Sequence, residues 1–202
     1  MNNVKEIKET IRRINGSLAA IEDRKGIITF ANLSGSLVQR TIVANLAIMY
    51  GRANMKVLIV DTDFKQNSFL EVFHINNSLG LSDYLNDSTI KTSEITNEVL
   101  NQNVAVISSG SLDLDDTHYL LDDPRFELLI GKSSNNYDLI LINTATVKKY
   151  DEFKNVCKRS DGIILVTEPK TTHKRALFSF FRQLMHDEVR VLGYINAKKL
   201  KK

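Results

Sequence analysis

Tryptophan is absent from these 202 residues, and cysteine, proline and glycine are scarce at one, two and nine. A single thiol, Cys157, excludes an internal disulfide framework and a clustered thiol metal site. It fits an intracellular setting. So few Gly and Pro, with no repeat and no low-complexity tract, argue against disorder away from the ends. No run approaches the roughly 18 apolar residues of a membrane-spanning helix. Residues 1–22 lack the apolar centre of a signal peptide. The expected location is cytoplasmic, with any attachment to a membrane periphery made through a partner. Charge is nearly balanced, 27 Lys and Arg against 24 Asp and Glu. No interleaving of basic and aromatic residues supports nucleic-acid binding, so none is expected. His74, His118, His173 and His186 show no ligand spacing, and no Ser, His and Asp set suggests a triad.

A composition 43% hydrophobic and 25% charged fits one compact α/β domain with ample core. Residues 1–24 read as an N-terminal helical segment, 25–197 as the α/β domain and 198–202 as a Lys-rich tail. Val4, Ile7, Ile11, Ile14 and Leu18 form one apolar stripe over residues 3–21. That stripe suits packing on its own domain or on a neighbouring subunit, which leaves self-association open. Apolar runs predict strands at Ile27–Phe30, Lys56–Val60, Val104–Ile107, Tyr137–Ile142, Gly162–Val166 and Val189–Ile195.

Between the strands, helical patterns fall at Leu37 to about Tyr50, at 117–132 with a break near Pro124, at Asp151–Lys158 and at Thr172–His186. Leu37, Val38, Thr41, Ile42, Leu46 and Met49 are the expected inner face of the first of these. Residues 66–100 read mostly as helix and loop, with a turn and a short helix within Leu79–Leu85 and Ser82 as its cap. Leu177, Phe178, Phe180, Phe181 and Leu184 are expected in the core. The alternation predicts a doubly wound, mainly parallel sheet with helices on both faces.

Residues 26–47 organise the chain. Strand, tight polar turn and helix form the layout that aims backbone N–H groups and a helix N-terminus at a phosphate. The next strand ends in Asp61-Thr62-Asp63, where ligands collect in an open parallel sheet. Turn and helix-capping roles are the other reading of these two carboxylates.

The ordered series of motifs resembles the cytoplasmic bacterial tyrosine kinases of capsule and exopolysaccharide synthesis. These lie within the deviant P-loop ATPases that include the MinD and ParA types. Ala44-Asn45-Leu46-Ala47 matches the family's helix ending and sets the register. Val57–Asp63 matches the apolar strand with Asp-x-Asp. Gly80-Leu81-Ser82-Asp83-Tyr84-Leu85 is similar to Gly-Leu-Ser-Asp-x-Leu. Tyr137–Thr144 matches the third motif with Asn143 in place of Asp, and Ser160-Asp161-Gly162, Thr171-Thr172 and Val191-Leu192-Gly193 with Asn196 complete the series. The family's Glu-x-x-Arg-x-x-Arg helix is matched in part, by Glu9, Arg12 and Asn15. Its Tyr-rich tail has no counterpart, the last Tyr being Tyr194 in a strand.

The resemblance implies a site binding ATP or ADP with magnesium. Its positions fall on Gly35, Ser36, Gln39, Arg40, Thr41 and Asn196 for nucleotide, Asp61 and Asp63 for catalysis, and Asn143 for metal. In this register the loop's second Gly is Val38, its Lys is Gln39 and its first Ser/Thr is Arg40. Gln39 has no charge, Arg40 no hydroxyl, and Asn143 is a neutral, weaker metal ligand. Arg40 offers a cation to a phosphate directly, and Lys65 and Arg52 are candidate replacements for the loop Lys. The expectation is a catalytically impaired relative that regulates or assembles polysaccharide synthesis, docked on a membrane adaptor or an active homologue. A weakly active kinase or ATPase is the alternative, and a ParA/MinD-type positioning protein the second. Arg40→Ala is expected to leave folding nearly intact, on the view that the loop is open to solvent.

Overall fold

The computed structural model describes residues 16, 26–33, 37–66, 68–112, 118–167 and 174–196. The stripe of residues 3–21, Gly35, Ser36 and the Lys-rich end lie outside them.

The apolar runs become strands β1 (Gly26–Asn32), β2 (Val57–Thr62), β4 (Val104–Ile107), β5 (Leu139–Thr146), β6 (Gly162–Thr167) and β7 (Val191–Asn196). A further strand, β3 (Thr96–Val99), lies in the stretch read as helix and loop. Its sequence, Thr-Asn-Glu-Val, has neither an apolar run nor clean alternation. It needs neither, because it is a half-exposed edge strand. The sheet order is β3-β4-β2-β5-β1-β6-β7, parallel throughout except for the antiparallel β3–β4 pair. All six residues of β2 and all four of β4 are buried, which is why these segments are apolar on both faces.

The helices are α1 (Leu37–Arg52), α2 (Ser68–Phe73), α3 (Leu81–Asn86), α4 (Thr92–Ile95), α5 (Pro124–Ser133), α6 (Lys154–Lys158) and α7 (Lys174–His186), with a 3₁₀ turn at His118–Asp122. The break near Pro124 has a local cause. Pro124 opens α5, and the Asp123 carboxylate accepts the Arg125 N–H at 2.7 Å as an N-cap. The segment 151–153 is turn, so α6 is shorter than the sequence pattern suggests.

Two apolar layers sandwich the sheet. Ile42, Val43, Leu46 and Ala47 of α1 pack on Phe30, Ile59 and Leu141. On the other face Phe126 and Leu129 of α5 and Phe180 and Leu184 of α7 pack on Leu58, Ile140 and Leu165. Three details depart from the sequence pattern. The inner face of α1 is rotated, so that Gln39 is buried while Thr41 is exposed. Gly80, not Ser82, precedes α3, and the Asp83 carboxylate accepts the Gly80 N–H. Phe178 points outward, 66% exposed. Among the described residues no helix is long and apolar enough to cross a membrane.

Candidate functional site

The register of three neighbouring strands assembles the site. Phe30 of β1 and Asp61 of β2 both stand beside Asn143 of β5, at the carboxyl ends of the strands. Their alternation puts these positions on the α1 side, in line with Ile59 and Leu141. Gln39, in the first turn of α1, reaches down onto them.

The Gln39 side chain is 1% exposed and makes four hydrogen bonds. Its two Nε2 hydrogens are shared among three acceptors, Asn143 Oδ1 at 2.9 Å, the Thr144 carbonyl at 2.9 Å and the Phe30 carbonyl at 3.1 Å. Its Oε1 accepts from Asn32 Nδ2 at 2.9 Å. Asn143 Nδ2 donates to Asp61 Oδ1 at 2.8 Å, and the Asp63 N–H reaches the same oxygen at 3.1 Å. Thr62 Oγ1 donates to the Asn143 carbonyl at 3.0 Å. A buried polar group costs free energy unless it is hydrogen-bonded, and nearly every atom here is satisfied by a neighbour in the same cluster. The exception is Asp61 Oδ2, buried with no partner. Burial pushes the Asp61 carboxyl up from 3.8 to about 7, against the lowering effect of the Asn143 amide and the Asp63 N–H.

At the rim, Arg40 extends from α1 to Asp63. Its NH2 group lies 2.7 Å from Asp63 Oδ2, both side chains being 12% exposed, and its NH1 donates to Gln66 Oε1 at 2.7 Å. Asp63 therefore meets a cation supplied by the chain itself.

The structure thus brings together Gln39, Arg40, Asp61, Asp63 and Asn143. It does not bring Thr41 into the cluster, since that side chain is exposed on the outside of α1. Asn196 is exposed at the end of β7, with β6 and β1 between it and Asn143. Gly35 and Ser36 lie outside the described residues. Lys65 is exposed in the turn after Asp63, and Arg52 is exposed at the opposite end of α1 from Gln39. Sequence reasoning missed Asn32 and Gln66, the partners of Gln39 and Arg40. Asn32 had one available signal, a polar residue closing an apolar strand directly before the loop. Among the described residues no three His, Cys, Asp or Glu side chains group as a metal site.

A family profile described as an AAA domain matches residues 25–187. The chain belongs to this AAA domain family. Among its relatives, the tyrosine-protein kinase CpsD of Streptococcus pneumoniae is 24% identical, over 96% of this chain and 86% of its own length. The tyrosine-protein kinase wzc of Salmonella typhi is 28% identical over 69% of this chain, a match spanning only 19% of its own length. The kinase domain of the Escherichia coli tyrosine kinase ETK superposes with a TM-score of 0.81 at 19% identity, covering 95% of this chain and 76% of that one. MinD of Pyrococcus horikoshii, complexed with Mg-ADP, superposes at 0.65 with 22% identity, over 84% and 69% of the two chains. This AAA domain protein therefore has the P-loop NTPase-like α/β fold, and its similarity runs to bacterial tyrosine kinases of that fold.

Proposed function

We propose that this chain is a tyrosine-kinase-like P-loop protein impaired in phosphoryl transfer. In this reading it serves bacterial capsular or exopolysaccharide synthesis as a regulatory or assembly partner, docked on a membrane adaptor or on an active homologue. The observation that carries the reading is Gln39. At the position where the resemblance expects the loop Lys stands a neutral amide, buried and committed to Asn32, Asn143 and two backbone carbonyls. Phosphoryl transfer depends on cations placed on the phosphates, by the loop Lys and by magnesium. Losing one such contact costs roughly a hundredfold or more in rate.

The residues present do not fit a magnesium nucleotide held in the family manner. Arg40 replaces the hydroxyl expected on the metal and lays its guanidinium on Asp63. Asn143 replaces a carboxylate and spends its amide on Asp61. Within the cluster, hydrogen bonds among its own residues occupy Gln39 and Asn143, and Asp61 Oδ2 alone is left without a partner. The names of the relatives support the polysaccharide pathway, and the better superposition on ETK than on MinD favours the kinase branch over a positioning protein.

One observation favours a second reading, a weakly active kinase or ATPase. Asp61 and Asp63 are both in place at the end of β2. Calorimetric titration of the full chain with ATP and ADP, with and without magnesium, separates the two. No heat of binding at millimolar nucleotide and no phosphate release support the pseudoenzyme. Magnesium-dependent binding with turnover that vanishes in Asp61→Ala overturns it.

A further inference from the structure

Helix α7 carries no acidic residue in its 13 positions. Its inner side buries Phe180 and Leu184. A second stripe runs along its outer side at three- and four-residue steps: Arg175, Phe178, Arg182 and Met185. All four are exposed, Phe178 to 66% and Met185 to 74%. Arg175 and Arg182 form no ion pair among the described residues. Tyr194, 72% exposed, extends the stripe onto edge strand β7. It is registered beside Leu165, whose side chain lies in the apolar layer beneath α7, so Tyr194 faces the same side of the sheet.

Charge is segregated along the sequence, and α7 lies in its basic C-terminal part. Residues 168–202 hold nine Lys or Arg against three Asp or Glu, while the remaining residues hold 18 against 21. Phe178, exposed between Arg175 and Arg182, and Met185, exposed between Arg182 and Glu188, mark an interaction surface rather than an ordinary solvated face.

We infer that the outer stripe of α7 docks this protein directly on an anionic lipid surface. The Arg side chains meet the headgroup charge, and Phe178, Met185 and the Tyr194 ring enter the interface between headgroups and acyl chains. Complementarity selects this occupant. A second copy would set Arg175 and Arg182 against their own kind. A nucleic-acid backbone would accept both Arg residues but leave Phe178 and Met185 facing phosphates. The inference does not depend on the nucleotide site.

The absence of Trp provides the test. Phe178→Trp in the full chain gives one indole, placed on an exposed position where it does not disturb the core. The expected result is co-flotation with phosphatidylglycerol-containing vesicles and not with phosphatidylcholine alone, with a blue shift of the indole emission on binding. Arg175→Glu/Arg182→Glu lowers vesicle affinity at least about tenfold with an unchanged thermal midpoint. Vesicle binding that leaves the emission unshifted assigns the contact to another part of the chain and overturns the inference. So does the absence of vesicle binding. DNA retention abolished by the double Arg variant, without any lipid response, overturns it in favour of a nucleic acid. A dimer dispersed by Phe178→Ser, again without a lipid response, overturns it in favour of self-association.

Discussion

Gln39 Nε2 donates to Asn143 Oδ1 at 2.9 Å, and Asn143 Nδ2 donates in turn to Asp61 Oδ1 at 2.8 Å. At the two positions where the resemblance expects a Lys and an Asp, the chain has two amides, and the structure sets them against each other. One positive and one negative charge are missing from adjoining buried positions, and what remains is a neutral, hydrogen-bonded pair. Reverting either residue alone leaves a buried charge unmatched, so Gln39→Lys and Asn143→Asp are each expected to cost about 3 kcal/mol. Reverting both restores an opposed pair, and the double variant should recover about 1–3 kcal/mol relative to the sum of the singles. Urea unfolding of the four proteins in the cycle measures this coupling. Strict additivity would show that the two substitutions are unrelated.

Asp61 gives the fold a pH dependence of known sign. Burial raises its carboxyl from 3.8 to about 7 in the folded protein. Between those values the folded state holds a proton that the unfolded state has released. Stability therefore falls as pH rises from about 4 to about 7 and is level above that, with a total loss of at most about 4 kcal/mol. Asp187 acts in a separate window. Lys154, His186 and Tyr150 hydrogen-bond its carboxylate and hold it below the ordinary value of 3.8, so its contribution is lost only as pH falls beneath that value. Asp61→Asn keeps the Oδ1 acceptor for Asn143 and for the Asp63 N–H. It should flatten the slope between pH 4 and 7 and raise stability at pH 8. Chemical denaturation at several pH values measures both, and an unchanged slope in the variant would remove Asp61 as its source.

The sheet's parallel strands and α1 were legible because each is encoded locally. Val57–Val60 has to be apolar on both faces, and the Gly51–Asn54 stretch ends the helix, with Asn54 in the left-handed region at φ 63°. Edge strand β3 was not legible, since its pairing with β4 is decided by tertiary context rather than by Thr96–Val99 itself. The candidate site was legible as a set of positions and not as an arrangement. The strand pattern placed Asp61 at a strand end, and the resemblance placed Gln39 on the loop and Asn143 in the third motif, but an apolar-stripe argument counts Gln as outward-facing. The acceptors that draw Gln39 inward belong to Phe30 and Thr144, backbone carbonyls that no side-chain pattern reports.

Arg40 reverses one expectation drawn from sequence. It belongs to a helix and pairs with Asp63 across 2.7 Å, with both side chains 12% exposed. Arg40→Ala strips that charge-assisted contact and leaves Asp63 close to Asp61 without its cation. A loss of about 1–3 kcal/mol is expected, with cooperative unfolding retained. The Asp61 titration should also move further upward, since the Arg40 charge helps to hold it down. Arg40→Lys keeps the charge without the fork to Gln66 and should fall between the two. A variant as stable as the parent would mean that the pair adds nothing beyond a solvated contact.

Asp83 explains why a Gly-Leu-Ser-Asp sequence stands where it does. Its carboxylate is buried and accepts the Gly80 N–H at 2.8 Å, the Ser111 N–H at 2.9 Å and the Ser111 hydroxyl at 2.6 Å. It thereby ties the start of α3 to the loop leaving β4. Gly110 sits inside this clasp at φ +104°, and a Cβ there would run into Ser82 Oγ and Asp83 Oδ2. Asp83→Ala leaves the buried Gly80 N–H without its acceptor and unties the two Ser111 donors, and should cost about 1–3 kcal/mol. Asp83→Asn keeps one good acceptor and should cost about half as much. Gly110→Ala combines backbone strain with the clash, and its cost should match that of Asp83→Ala. Because the clasp is separate from Gln39 and Asn143, its energetic effects should add to those of Gln39→Lys within about 0.5 kcal/mol. Denaturation of the combined variant measures this, and strong coupling would mean that the loop after β4 and the strand-end cluster move as one unit.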